Sequence, residues 1–311
     1  MQVHRSLDRL PEIKNAVLTI GTFDGVHCGH QRIINDLHKR AAAIRGESVL
    51  LTFHPHPRLV INPDDKTLKL LTTLDEKIAL LDRFGIDHLI IVPFSKAFSQ
   101  TEPDVYIRDV LVAPVRPRVI VIGYNHHFGK DRKGNIETLR KYAERYHYEV
   151  VEISKQEVEE IAVSSSKIRK AVYEGDIRLA RKLLGHPYPL SGTVIKGQQI
   201  GKKLGYPTAN IFISDTHKLI PPFGVYAVKV RPGNGEKGGM LYIGKRPTFA
   251  GQERSIEVNI FDFNEQIYGR FIRIEVLERI RGDMYFEDKA ALARQMDADK
   301  EATLEILKNQ G

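Results

Sequence analysis

Between Ala16 and Tyr148, short apolar runs alternate with longer amphipathic ones. Ala16–Ile20, Ser48–Phe53, His88–Val92 and Val119–Ile122 are almost uninterrupted apolar stretches, the pattern of strands buried on both faces. Gln31–Ile44, Asp75–Phe84, Val105–Leu111 and Ile136–Arg145 read as the helices between them. Such alternation predicts a Rossmann-like α/β domain, a parallel sheet covered on both faces. Val150–Ile153 adds a last strand. Lys167–Glu174 and Ile177–Leu184 then form two short helices, broken at Gly175-Asp176 and stopped at Gly185.

The pattern changes after His186-Pro-Tyr-Pro-Leu190, which reads as a linker or a domain entrance. Beyond it, Gly and Pro punctuate short β-rich stretches at Leu190–Ile195, Val225–Val230, Met240–Ile243, Ser255–Phe261 and Phe271–Arg279. Ile256, Val258 and Ile260 alternate with Glu257, Asn259 and Phe261, the period of two that gives a strand two distinct faces. These signals predict a smaller antiparallel β-barrel or sandwich, with Glu287–Leu307 as a terminal helix directing Leu292, Met296, Leu304 and Leu307 at it. The expected domains are 1–186 and 187–311.

Composition narrows the class. The 311 residues are 42% hydrophobic and 28% charged, which excludes disorder, collagen-like repeats and coiled coils. No apolar run approaches the ~20 residues that span a bilayer, and the N-terminus lacks the apolar stretch of a signal peptide. A single cysteine, Cys28, excludes an internal disulfide framework and a cysteine-based zinc cluster. A cytoplasmic setting with no membrane partner is expected. The net charge of +8 suits nucleic acid or polyphosphate substrates alike, but it divides as +5 before residue 187 and +3 after, with no long basic run. Small-molecule substrates are therefore expected rather than nucleic acid, in a monomer or weak homo-oligomer. Eleven of twelve histidines precede residue 187, so any imidazole chemistry belongs to the first half.

The strongest local signal is Gly21-Thr-Phe-Asp-Gly-Val-His-Cys-Gly-His30, running from the first strand into the first helix. A helix start offers unpaired N–H groups to phosphate, and His27 and His30, three apart, can face one ligand. Two surface histidines in a Gly-rich turn would read the same way. Ser165, Ser166, Lys167 and Arg169 can donate to phosphates at a helix start, or be an ordinary cap followed by a basic helix face. In the second half, Gly201-Lys-Lys-Leu-Gly205 is a basic turn but not a Walker A loop, and Pro207-Thr-Ala-Asn210 places Thr208 and Asn210 on one side if extended. The pair can hold a Mg²⁺–phosphate group or decorate a surface hairpin. Glu257 faces either a polar pocket or solvent.

GTFDGVHCGH resembles the HxGH signature of adenylyl- and cytidylyltransferases, and most closely the N-terminal module of the bacterial bifunctional riboflavin kinase/FMN adenylyltransferase (FAD synthetase) family. Thr52-Phe-His-Pro-His-Pro57, Gly123-Tyr-Asn-His-His-Phe-Gly129 with Arg132 and Gly134, and Ser164-Ser-Ser-Lys-Ile-Arg169 follow in that family's order. So do LGYPTAN, Pro222-Phe-Gly-Val-Tyr226, Ile243–Thr248, Glu257–Asp262 and IRGDMYF in the second half. The resemblance implies ATP binding by Thr22, Asp24, His27, His30, Ser165, Ser166, Lys167 and Arg169, with flavin contacts from Asn125 and Arg132. For the second half it implies ATP and Mg²⁺ held by Gly201, Lys202, Pro207, Thr208 and Asn210. Riboflavin would contact Tyr226, Arg281, Asp283 and Phe286, and Glu257 would be the base. Riboflavin, FMN, FAD and ATP are then the substrates and products. Asn125 and His126 stand where the family commonly has Asp and Phe, and Lys202 and Lys203 stand in a region often rich in Arg. A different HxGH transferase with a non-catalytic barrel would make no FMN from riboflavin, and a nucleic-acid-binding protein would show salt-dependent affinity without flavin turnover.

Overall fold

The computed structural model describes every residue except 66, 125, 154–162, 198–200, 202–204, 234, 249–250 and 310–311, with the side chains of 246–248 and 251–253 also left aside. Asn125, Lys202 and Lys203 therefore lie outside the described residues. By contacts the chain divides into two compact units: Met1–Leu68 with Lys77–Ser164, and Lys69–Glu76 with Ser165–Gly311.

In the first unit, six strands form one parallel sheet: β1 (Gln2–His4), β2 (Val17–Ile20), β3 (Ser48–His54), β4 (His88–Pro93), β5 (Val119–Gly123) and β6 (Glu149–Ile153), in the order β1-β4-β3-β2-β5-β6. The predicted strands are all present, and the short edge strand β1 is an addition. Val17–Ile20 and Ser48–Thr52 are buried throughout, which is why their apolar runs lack alternation. Helix α1 (Cys28–Ala43) begins three residues before the expected start, because His27 caps it by accepting from the His30 amide at 3.4 Å. Helix α2 is Leu74–Arg83 and α3 is Ile136–Tyr146. The segment expected to be an α-helix at Val105–Leu111 is a π-helix over Tyr106–Val112. Beyond β2 the chain turns first to β3 and later to β5, so the sheet's switch point lies where β2 ends, the usual place for a ligand crevice.

In the second unit, α4 (Ser165–Glu174) and α5 (Ile177–Leu184) precede a closed barrel of β7 (Tyr188–Ile195), β8 (Ala209–Phe212), β9 (Gly224–Arg231), β10 (Lys237–Thr248), β11 (Gly251–Ile260) and β12 (Phe271–Gly282) in the order β10-β11-β8-β7-β12-β9. Helix α6 (Lys289–Lys308) ends it, N-capped by Asp288, whose carboxylate accepts from the Ala291 amide. Its packing corrects one expectation. The buried α6 residues are Asp299 and Thr303, while Leu304 is 39% exposed. Leu307 does pack partly against the Val225–Met240–Phe261 cluster, as expected.

Segment 69–76 is tied to the barrel's unit by several bonds, Lys69 Nζ on Thr216 O among them, and the most buried of these ties is a cation. Lys218 donates to Glu76 Oε2 at 2.7 Å, to Leu71 O at 2.6 Å and to Pro189 O at 2.7 Å, with its ammonium 4.3 Å from the Tyr188 ring centroid. Two backbone bonds flank it, Leu70 N to His217 O and Leu219 N to Leu70 O.

Candidate functional sites

The turn after β2 is strained. Phe23 and Val26 hold φ of +46° and +40°, and Gly25 between them +82°. A bulky residue and a β-branched one at positive φ are outliers that persist only where surroundings enforce them, and such strain concentrates at functional sites. Here Phe23 and Val26 are anchored by burial, and Gln31 Nε2 donates to Val26 O at 2.8 Å. The rings of His27 and His30 stack at 3.7 Å between centroids, with Phe23 4.6 Å beyond His30. Gly29 lets the His27 ring approach closely, since a Cβ there would lie 3.2 Å from that ring and push it by a few tenths of an ångström. Because His27 Nδ1 accepts from the His30 amide, its proton sits on Nε2, a donor for an incoming anion.

Burial, then His27 and Lys77, hold the His30 imidazole well below its ordinary pKa, and its Nδ1 is buried with no hydrogen-bond partner. Lys77, absent from the expected site, is the largest addition. It is 7% exposed near Asp24, and burial lowers its pKa to about 8, against the opposing pull of Asp24. In a strand–helix unit, helices start at the edge where strands end, the end at which Lys77 of α2 meets Asp24 of the β2 turn. Thr22 accepts from the Thr52 hydroxyl at 3.3 Å through its carbonyl, and Asp24 is buried. Burial raises the Cys28 thiol pKa, which leaves it protonated and unsuited to nucleophilic attack.

The loop after β5 closes on itself by paired backbone bonds between Phe128 and Gly134. Arg132 is exposed at positive φ, and its carbonyl lies 3.2 Å from His127 Nδ1. His126, stacked on Phe128, is held near pKa 4 by burial first, then by His127 and Arg132.

Ser165, Ser166, Lys167 and Arg169 open α4 in the second unit, where Arg169 Nε donates to Lys69 O at 2.7 Å.

On the barrel, β11 pairs with β8 so that Glu257 stands opposite Asn210. Glu257 accepts from Thr208 Oγ1 at 2.9 Å and from Ser255 Oγ at 2.7 Å, while Asn259 Nδ2 donates to Pro207 O at 2.7 Å. Ser255, Glu257 and Asn259 thus form one polar stripe at period two. The alternation in the sequence puts Asn259 on the Glu257 face, and Ser255 extends that face by one step. On the other side, Tyr242 pairs with Glu257 across β10–β11 and donates to Asp283 Oδ1 at 3.1 Å. Burial foremost, then Asp283 and Glu257, push the Tyr242 phenol up to about 12. Gly201 O accepts from the Tyr206 amide at 2.9 Å.

Two expected flavin contacts are placed differently. Tyr226 is fully buried, its hydroxyl donating to Pro222 O, so its ring has no surface for a ligand. Arg281 uses all three guanidinium nitrogens internally: Nε and Nη2 on Asp299, Nη1 on Gly282 O. Phe286 lies under that guanidinium at 5.6 Å.

Magnesium favours oxygen donors and usually takes only one or two from protein, the rest from phosphates and water. Thr208 and Asn210 beside Glu257 supply that chemistry. Thr208 spends its hydroxyl proton on Glu257, which leaves its lone pairs for a cation. Among the described residues, no three His, Cys, Asp or Glu side chains form a metal-binding group, and no helix is long and apolar enough to cross a membrane.

Comparison with known proteins assigns the two halves of the chain to two families. Residues 10–167 match the family model for FAD synthetase and residues 184–307 that for riboflavin kinase. A bifunctional riboflavin kinase/FMN adenylyltransferase of Buchnera aphidicola is 37% identical over 97% of both chains. One from Listeria monocytogenes is 37% identical over 93% of this chain and 91% of its own. A solved structure from Streptococcus pneumoniae, described as a macrolide-efflux protein, superposes with a TM-score of 0.83 at 32% identity, covering 97% of this chain and 98% of that one. The chain belongs to the bifunctional riboflavin kinase/FMN adenylyltransferase family.

Proposed function

We propose that the chain phosphorylates riboflavin with ATP on the barrel, giving FMN, and adenylylates FMN with a second ATP at the β2 turn, giving FAD and pyrophosphate. The observation that carries the reading is the convergence of Thr208, Asn210 and Glu257 on one polar face of the barrel, separate from the His27–His30 turn. In the first step Glu257 accepts the proton of the riboflavin 5′-hydroxyl as its oxygen attacks the γ-phosphorus and ADP leaves. Thr208 and Asn210 would hold Mg²⁺, which supplies charge neutralisation at the phosphates when bound. In the second step an FMN phosphate oxygen attacks the α-phosphorus of ATP and pyrophosphate departs. His27, His30 and Lys77 line the departing charge, so orientation and electrostatics suffice without a covalent intermediate.

The Ser165–Arg169 motif, Asn125, Arg132, Gly201 and Lys202 carry their assignments from the family resemblance, while the 1–186/187–311 boundary rests on the change of pattern after His186 and the cytoplasmic location on composition. Chromatography of flavins formed from riboflavin, ATP and Mg²⁺ tests the whole reading: FMN and FAD are both expected. A His30→Ala variant should accumulate FMN, its adenylylation slowed about 10²–10³-fold. Equal loss of both steps in folded protein would overturn the separation of sites.

Lys77 makes a pH prediction. An ATP triphosphate favours the ammonium form, so binding raises a pKa that stands at about 8. Above that pH the cation must be regenerated before it can help. The KM for ATP in the FMN-to-FAD assay should therefore rise about tenfold between pH 7 and pH 9.5, the worth of one charged hydrogen bond. Lys77→Met should start at the higher KM and lose that step.

A further inference from the structure

Asp299 is a carboxylate that neither reaction uses, yet it is 3% exposed on a helix whose neighbouring positions 297, 298 and 300 are all exposed. It takes Arg281 through both oxygens, at 2.9 and 3.1 Å from Nε and 2.8 Å from Nη2, and Gln295 Nε2 at 3.0 Å. Thr303 Oγ1 closes on the Asp299 carbonyl at 2.7 Å. A bidentate carboxylate fixes the plane of a guanidinium as well as its place. With Nη1 on Gly282 O, that plane has one free asset, its face, and Phe286 lies against it. Along Asp283–Asp288, Phe286 is the one residue that is not exposed, while Tyr285 beside it is 90% exposed. The segment's other anchor, Asp283, accepts from Tyr242, the cross-strand partner of Glu257.

We propose that Asp299, through Arg281, fixes Phe286 over the riboflavin pocket and is a positioning residue of the kinase reaction. Arg281 is then a strut rather than a flavin ligand, since its nitrogens are already engaged. Helix α6 becomes part of the kinase site although it touches no reacting atom. The inference rests on the reading of the Glu257 face as the riboflavin site.

The test measures riboflavin phosphorylation and FMN adenylylation in the full-length chain. Asp299→Asn keeps the shape but weakens the bidentate pair. It should raise the KM for riboflavin about tenfold, the worth of a charged hydrogen bond, with kcat changed less than about twofold and adenylylation unaltered. Phe286→Ala should raise the same KM, and the double variant should be no worse than the worse single, because both act through one contact. Arg281→Lys, which keeps charge but loses the fork, and Gln295→Leu, which removes only the second donor, give milder versions if Asp299→Asn folds poorly. Multiplying effects of Asp299→Asn and Phe286→Ala, or a fall in kcat at constant KM, would overturn the proposal. Should Glu257→Gln retain phosphorylation, the pocket reading itself fails. If Glu257→Gln abolishes phosphorylation while Asp299→Asn leaves KM untouched, only the strut fails.

Discussion

A Glu257→Gln variant is expected to lose riboflavin phosphorylation by about 10²–10⁴-fold, the usual contribution of a positioned general base, while converting supplied FMN to FAD at the unaltered rate. The substitution keeps the side chain's volume and one acceptor oxygen. Thr208 and Ser255 both donate to the native carboxylate, so in the variant one hydroxyl meets an amide NH₂ and must rotate away. A hydroxyl rotates cheaply, so the barrel should survive and the loss should be chemical. Product chromatography, started once from riboflavin and once from FMN, separates the two reactions in a single preparation. Kinase turnover within tenfold of the parent would remove Glu257 from the role of base.

The second large effect is on stability. Lys218→Met should destabilise the barrel unit by about 3–5 kcal/mol, because it leaves Glu76 buried without its cation. The pair is 0% and 1% exposed, and Glu76 keeps only the Thr73 amide at 2.9 Å on Oε2, with Oε1 unpartnered. The Lys218 bonds to Leu71 O and Pro189 O are lost at the same time. Adding Glu76→Gln should recover part of the loss by removing the stranded charge, though not the two carbonyl bonds. Hydrogen exchange offers the sharper readout, since the Leu70 and Leu219 amides are bonded across this contact and should lose protection together. Unchanged protection at both amides would show that the ion pair is not what fastens segment 69–76.

How far these features can be read from sequence depends on whether their cause is local. Buried parallel strands announce themselves through apolar runs such as Ser48–Phe53, and the β2 turn through three glycines and two histidines in ten residues. Glu257 stood out only because a family motif surrounded it. Its partner Ser255 follows from the same period of two and could have been named with it.

Other features were set by contacts far along the chain. Lys77 resembles any solvated charge on an amphipathic helix until the fold sets it beside Asp24 in the turn after β2. Asp299 reads as part of a polar helix face, and the apolar positions drew attention to Leu304 instead. What buries Asp299 is an arginine 18 residues away in sequence. The π-helix at Tyr106–Val112 has the same composition as an α-turn, and no residue in it marks the extra loop of backbone. Tyr226 shows the opposite failure, a residue in the right motif whose ring the barrel encloses.

The attachment of residues 69–76 to Lys218 has a consequence for how the protein is made. Glu76 leaves the ribosome 142 residues ahead of the lysine that neutralises it. At about 5–20 residues per second, that interval is roughly 7–28 s of translation. Throughout it, Leu70 and Leu71 must stay available without clustering with other exposed apolar chain. Slowing elongation downstream of residue 76 should lengthen this exposure and raise the demand for chaperone capture of the nascent chain.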